Sequence, residues 1–225
     1  MSQENIGAMR NDLPPDRRLW TTNIVAMAGL AFYAILLISL HILRSDIDPV
    51  RTLTFEYATG RYGYLMTLAF LSMAVGSTAL VIGLYRGVSA AGRSRLGLGL
   101  MGLWIVGVLL AMAFPPTVLD TPGSLAAGIQ RVNAPLHVLC LAAGAVLVSR
   151  GFKRDEMWRP IHSPALTLSL LMLAAFVAVA VLLATNSRFA GLGQRVFIVT
   201  FLTWFSLTVL GPQLHRGSTG ASHDR

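Results

Sequence analysis

Six nearly unbroken apolar stretches, at residues 21–43, 62–85, 96–114, 129–148, 164–184 and 192–214, alternate along the chain with short polar connections. A helix rises 1.5 Å per residue, so about twenty apolar residues cross the ~30 Å of hydrocarbon in a bilayer. A membrane barrel would show alternating polarity, whereas these stretches are apolar on nearly every side. Helices satisfy all their backbone hydrogen bonds internally and are the spanning solution that remains. The pattern predicts an all-α polytopic membrane protein: a polar leader at 1–19, one bundle of six transmembrane helices at 20–214 and a polar tail at 215–225. The first stretch is too long for the apolar part of a secretory signal, and the HILRSD that follows it offers no small-x-small cleavage site, so it reads as an anchor.

Composition agrees with the pattern. Of 225 residues 54% are hydrophobic and 12% charged, too little polar surface to wrap a soluble core. The formal charge of +8 sits in short clusters between the apolar stretches rather than along a polar face, which excludes a nucleic-acid binder. The basic residues instead report orientation. Twelve lie in the leader, in the second and fourth connections and in the tail; six lie in the other three connections. Both termini are therefore expected on the cytoplasmic side of a cell inner (plasma) membrane. The lone cysteine, Cys140, excludes an intrachain disulfide and paired-thiolate metal sites.

The connections on the opposite side are where the chemistry collects. Residues 43–64, LRSDIDPVRTLTFEYATGRYGY, carry Asp46, Asp48, Glu56 and three tyrosines; residues 114–137, FPPTVLDTPGSLAAGIQRVNAPLH, carry Asp120, Arg131, Asn133 and His137; Arg188, Gln194 and Arg195 follow later. Gln130, Asn133 and His137 are spaced i, i+3, i+7, and Cys140 and Gly144 continue the same helical face. Polar side chains at membrane depth are costly, so that face is expected to look into the bundle. Pro135 in the same turn removes one backbone donor, and a kink is expected there. The expectation is an outward-facing polar pocket lined by Glu56, Asp120, Arg131, Asn133, His137 and Arg195. The plainer alternative also stands: Asn133 and His137 as interhelical glue, Asp120 as the start of a DTPG turn, Glu56 and Arg195 as solvated loop charges.

Chemistry is only loosely constrained. A zinc site needs three or four convergent ligands, and only His41, His137 and Asp120 share the outer side. A b-type haem needs two opposed imidazoles, for which His41 and His137 are the available pair. Hydrolase, P-loop and dinucleotide fingerprints do not occur. None of the ten acids falls inside an apolar stretch, which argues against a proton-coupled carrier. Acid–base chemistry on a lipid is conceivable, with Asp120 or Glu56 as base, His137 as acid and arginines on a headgroup phosphate. No cofactor is called for.

Two motifs carry a resemblance. Residues 48–66 follow D-P-x-R-x-x-x-x-E-Y-A-x-G-x-x-G-x-L-M, and Gly191, Gln194 and Arg195 follow G-x-x-Q-R, with Trp204 beyond. With the F-P at Phe114 and a nearby aspartate, the chain resembles the uncharacterised bacterial multipass membrane family known as domain of unknown function nine hundred and ninety-eight. That family is similar in layout to the DRAM- and Frag-like six-helix proteins, some of which act in lipid-anchor remodelling. The resemblance implies a six-helix bundle and leaves function open. It also marks departures: the family usually has FPTD together and a histidine near the position of Gln130, where this chain has FPPTVLD and glutamine.

Three readings follow. The first is a protein that binds or handles membrane lipids or another amphipathic ligand in the outer pocket. The second is an intramembrane enzyme acting on a lipid or isoprenoid through Asp120 and His137. The third is an accessory subunit that docks a membrane-protein partner through its outer loops.

Overall fold

The computed structural model of the protein describes residues 17–114 and 124–220. Six helices carry the fold: α1 (Arg17–Leu43), α2 (Gly63–Gly87), α3 (Arg95–Ala113), α4 (Leu125–Gly151), α5 (His162–Ala184) and α6 (Ala190–Gly220). Each contains a segment long and apolar enough to cross a membrane, and no strand occurs among the described residues. This is an all-helical, multi-pass membrane protein. Each helix covers one of the six apolar stretches; the last continues to Gly220, past the expected end at 214, and α4 starts at Leu125 rather than 129 because the Ser124 hydroxyl caps it, accepting from the Ala127 N–H at 3.1 Å. The helix runs unbroken through Pro135.

Successive helices pack on one another, and α6 returns to α1, closing a ring. In lipid the hydrophobic effect does not drive helices together, so the crossings depend on small residues and buried polar bonds. At the α1–α2 crossing a Cβ added to Gly29 would lie 2.7 Å from the Gly76 Cα, and at the α3–α4 crossing one added to Gly144 would lie 2.9 Å from the Gly97 carbonyl oxygen. The ring's interior is filled by α6 aromatics, with Phe201, Trp204 and Phe205 buried. Trp204 donates its indole N–H to the Ser149 hydroxyl at 2.9 Å. By contrast α5 buries only Ala165, Ser169 and Met172, so most of its surface faces lipid.

The end of the ring bearing most of the basic residues is organised by Asp155. Its carboxylate accepts from the backbone N–H groups of Ser89 (2.7 Å), Met157 (3.0 Å) and Trp158 (3.2 Å), tying the α2–α3 turn to the α4–α5 turn. The other end is covered by the long connection between α1 and α2.

Candidate functional site

The α1–α2 connection is a built loop, and the motif residues within it are the ones that build it. Asp48 accepts from the Val50 N–H at 2.9 Å, and Glu56 folds back to accept from the Leu53 N–H at 3.3 Å. Gly60 turns the chain at φ +68°, and Gly63 packs so closely on the Ala58 carbonyl that a Cβ there would collide with it. Buried Arg44 grips the loop from the end of α1, donating to the carbonyls of Thr59 (2.6 Å) and Arg61 (3.2 Å) and to Asp46 (2.9 Å). This hydrogen bond holds the Asp46 carboxyl below the usual aspartate range and raises Arg44 above its own.

The second motif clamps the same loop to α6. Leu192 N–H bonds the Val50 carbonyl at 3.0 Å, and Gly191 lies so close that a Cβ would sit 2.6 Å from the carbonyl oxygens of Pro49 and Thr52. The Gln194 Oε1 accepts from the Thr54 N–H at 2.7 Å. Arg195 donates to Thr52 O at 2.6 Å, to Gly191 O at 2.9 Å and to the Tyr57 hydroxyl at 3.5 Å. Its Nε–H meets Nε2 of His41 at 3.3 Å. His41 Nδ1 lies 2.7 Å from the Leu37 carbonyl and must donate to it, which makes Nε2 the acceptor. The imidazole also packs on the buried Tyr57 ring, 5.0 Å between centroids.

Beneath the clamped loop lies a cavity of about 340 Å³ with walls from all six helices and a roof from residues 53–55. Its surface is mostly hydrocarbon and aromatic, including Phe70, Met73, Trp104, Phe176 and Phe197. The polar groups among its walls are few: Tyr33, Thr54, Gln130, His137 and Gln194. On α4, Asn133 is buried and donates to the Gly107 carbonyl at 2.9 Å and to Gln130 Oε1 at 3.4 Å. His137 donates through Nδ1 to the Asn133 carbonyl at 2.6 Å, and its Cβ rests on Gly107. The absence of a side chain at Gly107 is what lets α3 admit that imidazole.

The residues picked from sequence thus part company. His137 lines the cavity. Asn133 stands behind it and fixes α4 to α3; Gln130, on the same face, is 3% exposed and lines the cavity too. Arg195 and Glu56 build the roof's supports rather than the cavity wall, and Arg131 is exposed. Asp120 lies outside the described residues. His41 and His137 sit in different surroundings, since the free nitrogen of His41 takes the Arg195 N–H. No cluster of three or more His, Cys, Asp or Glu side chains suited to a metal occurs among the described residues. Tyr33 and Trp104 escaped sequence reasoning because they stand in stretches apolar all round. Gln194 was marked by its place in the last outer connection and in the G-x-x-Q-R motif, and not as a pocket residue.

Comparison with the curated proteins and with the solved structures finds no match. A family model described as "Protein of unknown function (DUF998)" matches residues 26–211, a span that takes in the clamped loop, the cavity and the α6 motif. The chain belongs to the DUF998 family.

Proposed function

We propose that this protein binds an amphipathic molecule, a lipid or isoprenoid, in the cavity at the loop end of the ring, and that it does so in the cell inner membrane with both termini cytoplasmic. The observation that carries the reading is the cavity itself: about 340 Å³ walled by all six helices and roofed by residues 53–55. Small-molecule sites run from about 300 to 1,000 Å³ and are mostly apolar with a few placed polar groups, as here. The roof supports the same reading. A loop that served only to connect α1 and α2 would not need an arginine, a glutamine and a glycine of α6 to fasten it.

The test is native mass spectrometry of protein extracted gently from its own membranes, wild type beside Ala134→Phe, which puts a ring into the cavity, and His137→Ala. A discrete additional mass in the wild type that disappears from Ala134→Phe is the expected result. Clean apoprotein in every sample would remove the tight-ligand reading.

A further inference from the structure

We infer that the head of the molecule this cavity takes is uncharged and presents carbonyl or ester oxygens; the inference rests on the ligand-binding reading above and specifies its chemistry. Among the described residues, no Asp, Glu, Lys or Arg lines the cavity. An ionic head there would lose hydration with no counter-charge among the described lining to replace it, at a cost that weakens its binding. The two arginines that reach inward from this end are already committed, Arg195 to the carbonyls of Thr52 and Gly191 and to His41, Arg44 to Asp46 and the Thr59 carbonyl. A phosphate or carboxylate would have to break those bonds to find a cation.

The hydrogen-bonding balance of the wall points the same way. Both glutamine side chains have their oxygens occupied: Gln194 Oε1 by the Thr54 N–H and Gln130 Oε1 by Asn133 Nδ2. Their amide N–H groups, and the hydroxyls of Tyr33 and Thr54, have no such bond among the described residues. Yet no fully buried side-chain nitrogen or oxygen among the described residues lacks a partner, so these groups open on space rather than being sealed in the packing. Against these donors the wall sets Nε2 of His137, an acceptor because Nδ1 donates to the Asn133 carbonyl, so an otherwise hydrocarbon cavity offers more neutral donors than acceptors. Oxygen acceptors satisfy them, and an acyl ester or a quinone supplies such oxygens on a hydrocarbon body.

Trp104 in the wall provides the readout, since bromine quenches indole fluorescence at contact. The purified protein in detergent is titrated with a brominated tetradecanoic acid methyl ester, the matching carboxylate at pH 8, the matching monoalkyl phosphate and the matching bromoalkane. Saturable quenching by the ester, lost in Trp104→Phe, is expected. The bromoalkane and both anions should bind at least about tenfold more weakly, and Tyr33→Phe and Gln130→Met should each weaken the ester by about 3- to 10-fold. Competition by unlabelled ester or by a decyl-benzoquinone then tells which acceptor head is preferred. An anion that binds more tightly than the ester, or a bromoalkane that equals it, overturns the inference while leaving the cavity reading intact. Absence of saturable Trp104 quenching by all four probes overturns the cavity reading as well.

Discussion

Arg195 on α6 and His41 on α1 meet at 3.3 Å, Nε–H to Nε2, across 154 positions of sequence, and between them they close the ring where its first and last helices touch. The remaining guanidinium donors hold the loop at Thr52 and Tyr57. Lysine keeps the charge but not the planar fork, so it cannot serve these acceptors together. Arg195→Lys is expected to lower the unfolding free energy by roughly 2–3 kcal/mol, the loss of more than one charge-assisted hydrogen bond. Thermal unfolding in detergent measures this. A variant as stable as the wild type would mean that the loop is held by its other contacts.

Gly191 makes the same point through space rather than charge. A methyl group there has no room against the carbonyl oxygens of Pro49 and Thr52, each 2.6 Å from the added Cβ, and backbone cannot swing aside as a side chain does. Gly191→Ala should therefore destabilise by about 2 kcal/mol or more. Gly128 on α4 has nothing within 4 Å of an added Cβ, so Gly128→Ala should be neutral or stabilise by up to about 1 kcal/mol through helix propensity. Equal Tm values for the two variants would contradict the close approach at Gly191.

Much of this fold was legible in the residues. Twenty-residue apolar stretches can do little else than cross a bilayer as helices, and the i, i+3, i+7 spacing put Gln130, Asn133 and His137 on one inward face. The loop was harder. Arg195 and Glu56 looked like solvated charges or pocket ligands because their partners, Thr52 and His41 for one and the Leu53 N–H for the other, emerge only when the chain is folded. Tyr33, Trp104 and the other aromatics of the cavity were illegible for a different reason. In lipid both faces of a helix are apolar, so hydrophobic periodicity no longer separates the residues that line an interior from those that face outward.

The Arg44–Asp46 bond makes the loop sensitive to acid. Asp46 has a lower pKa folded than unfolded, because Arg44 donates to its charged form. A depressed carboxyl stabilises the fold above the unfolded aspartate value of about 3.9 and loses that contribution as pH falls through the lower folded value; Arg44 stays protonated throughout. The gap in Tm between wild type and Asp46→Asn should accordingly be constant from about pH 7 down to about pH 5 and shrink toward zero below that. Because Asp46 is largely exposed the gap is small, and a gap that widened on acidification would have the wrong sign for this bond.

Orientation decides where the cavity's occupant comes from. In the proposed orientation, with the basic connections in the cytoplasm, the loop end and its cavity would open toward the outer leaflet. Cys140 is buried, so single cysteines can be placed on the native background. A membrane-impermeant maleimide applied to intact cells should label Arg51→Cys in the clamped loop, where only an exposed pair with Asp48 is lost. Ala90→Cys, exposed in the turn between α2 and α3, should react only after permeabilisation. The reverse pattern would turn the bundle over. The cavity would then draw its occupant from the inner leaflet, and the clamped loop would be a cytoplasmic surface.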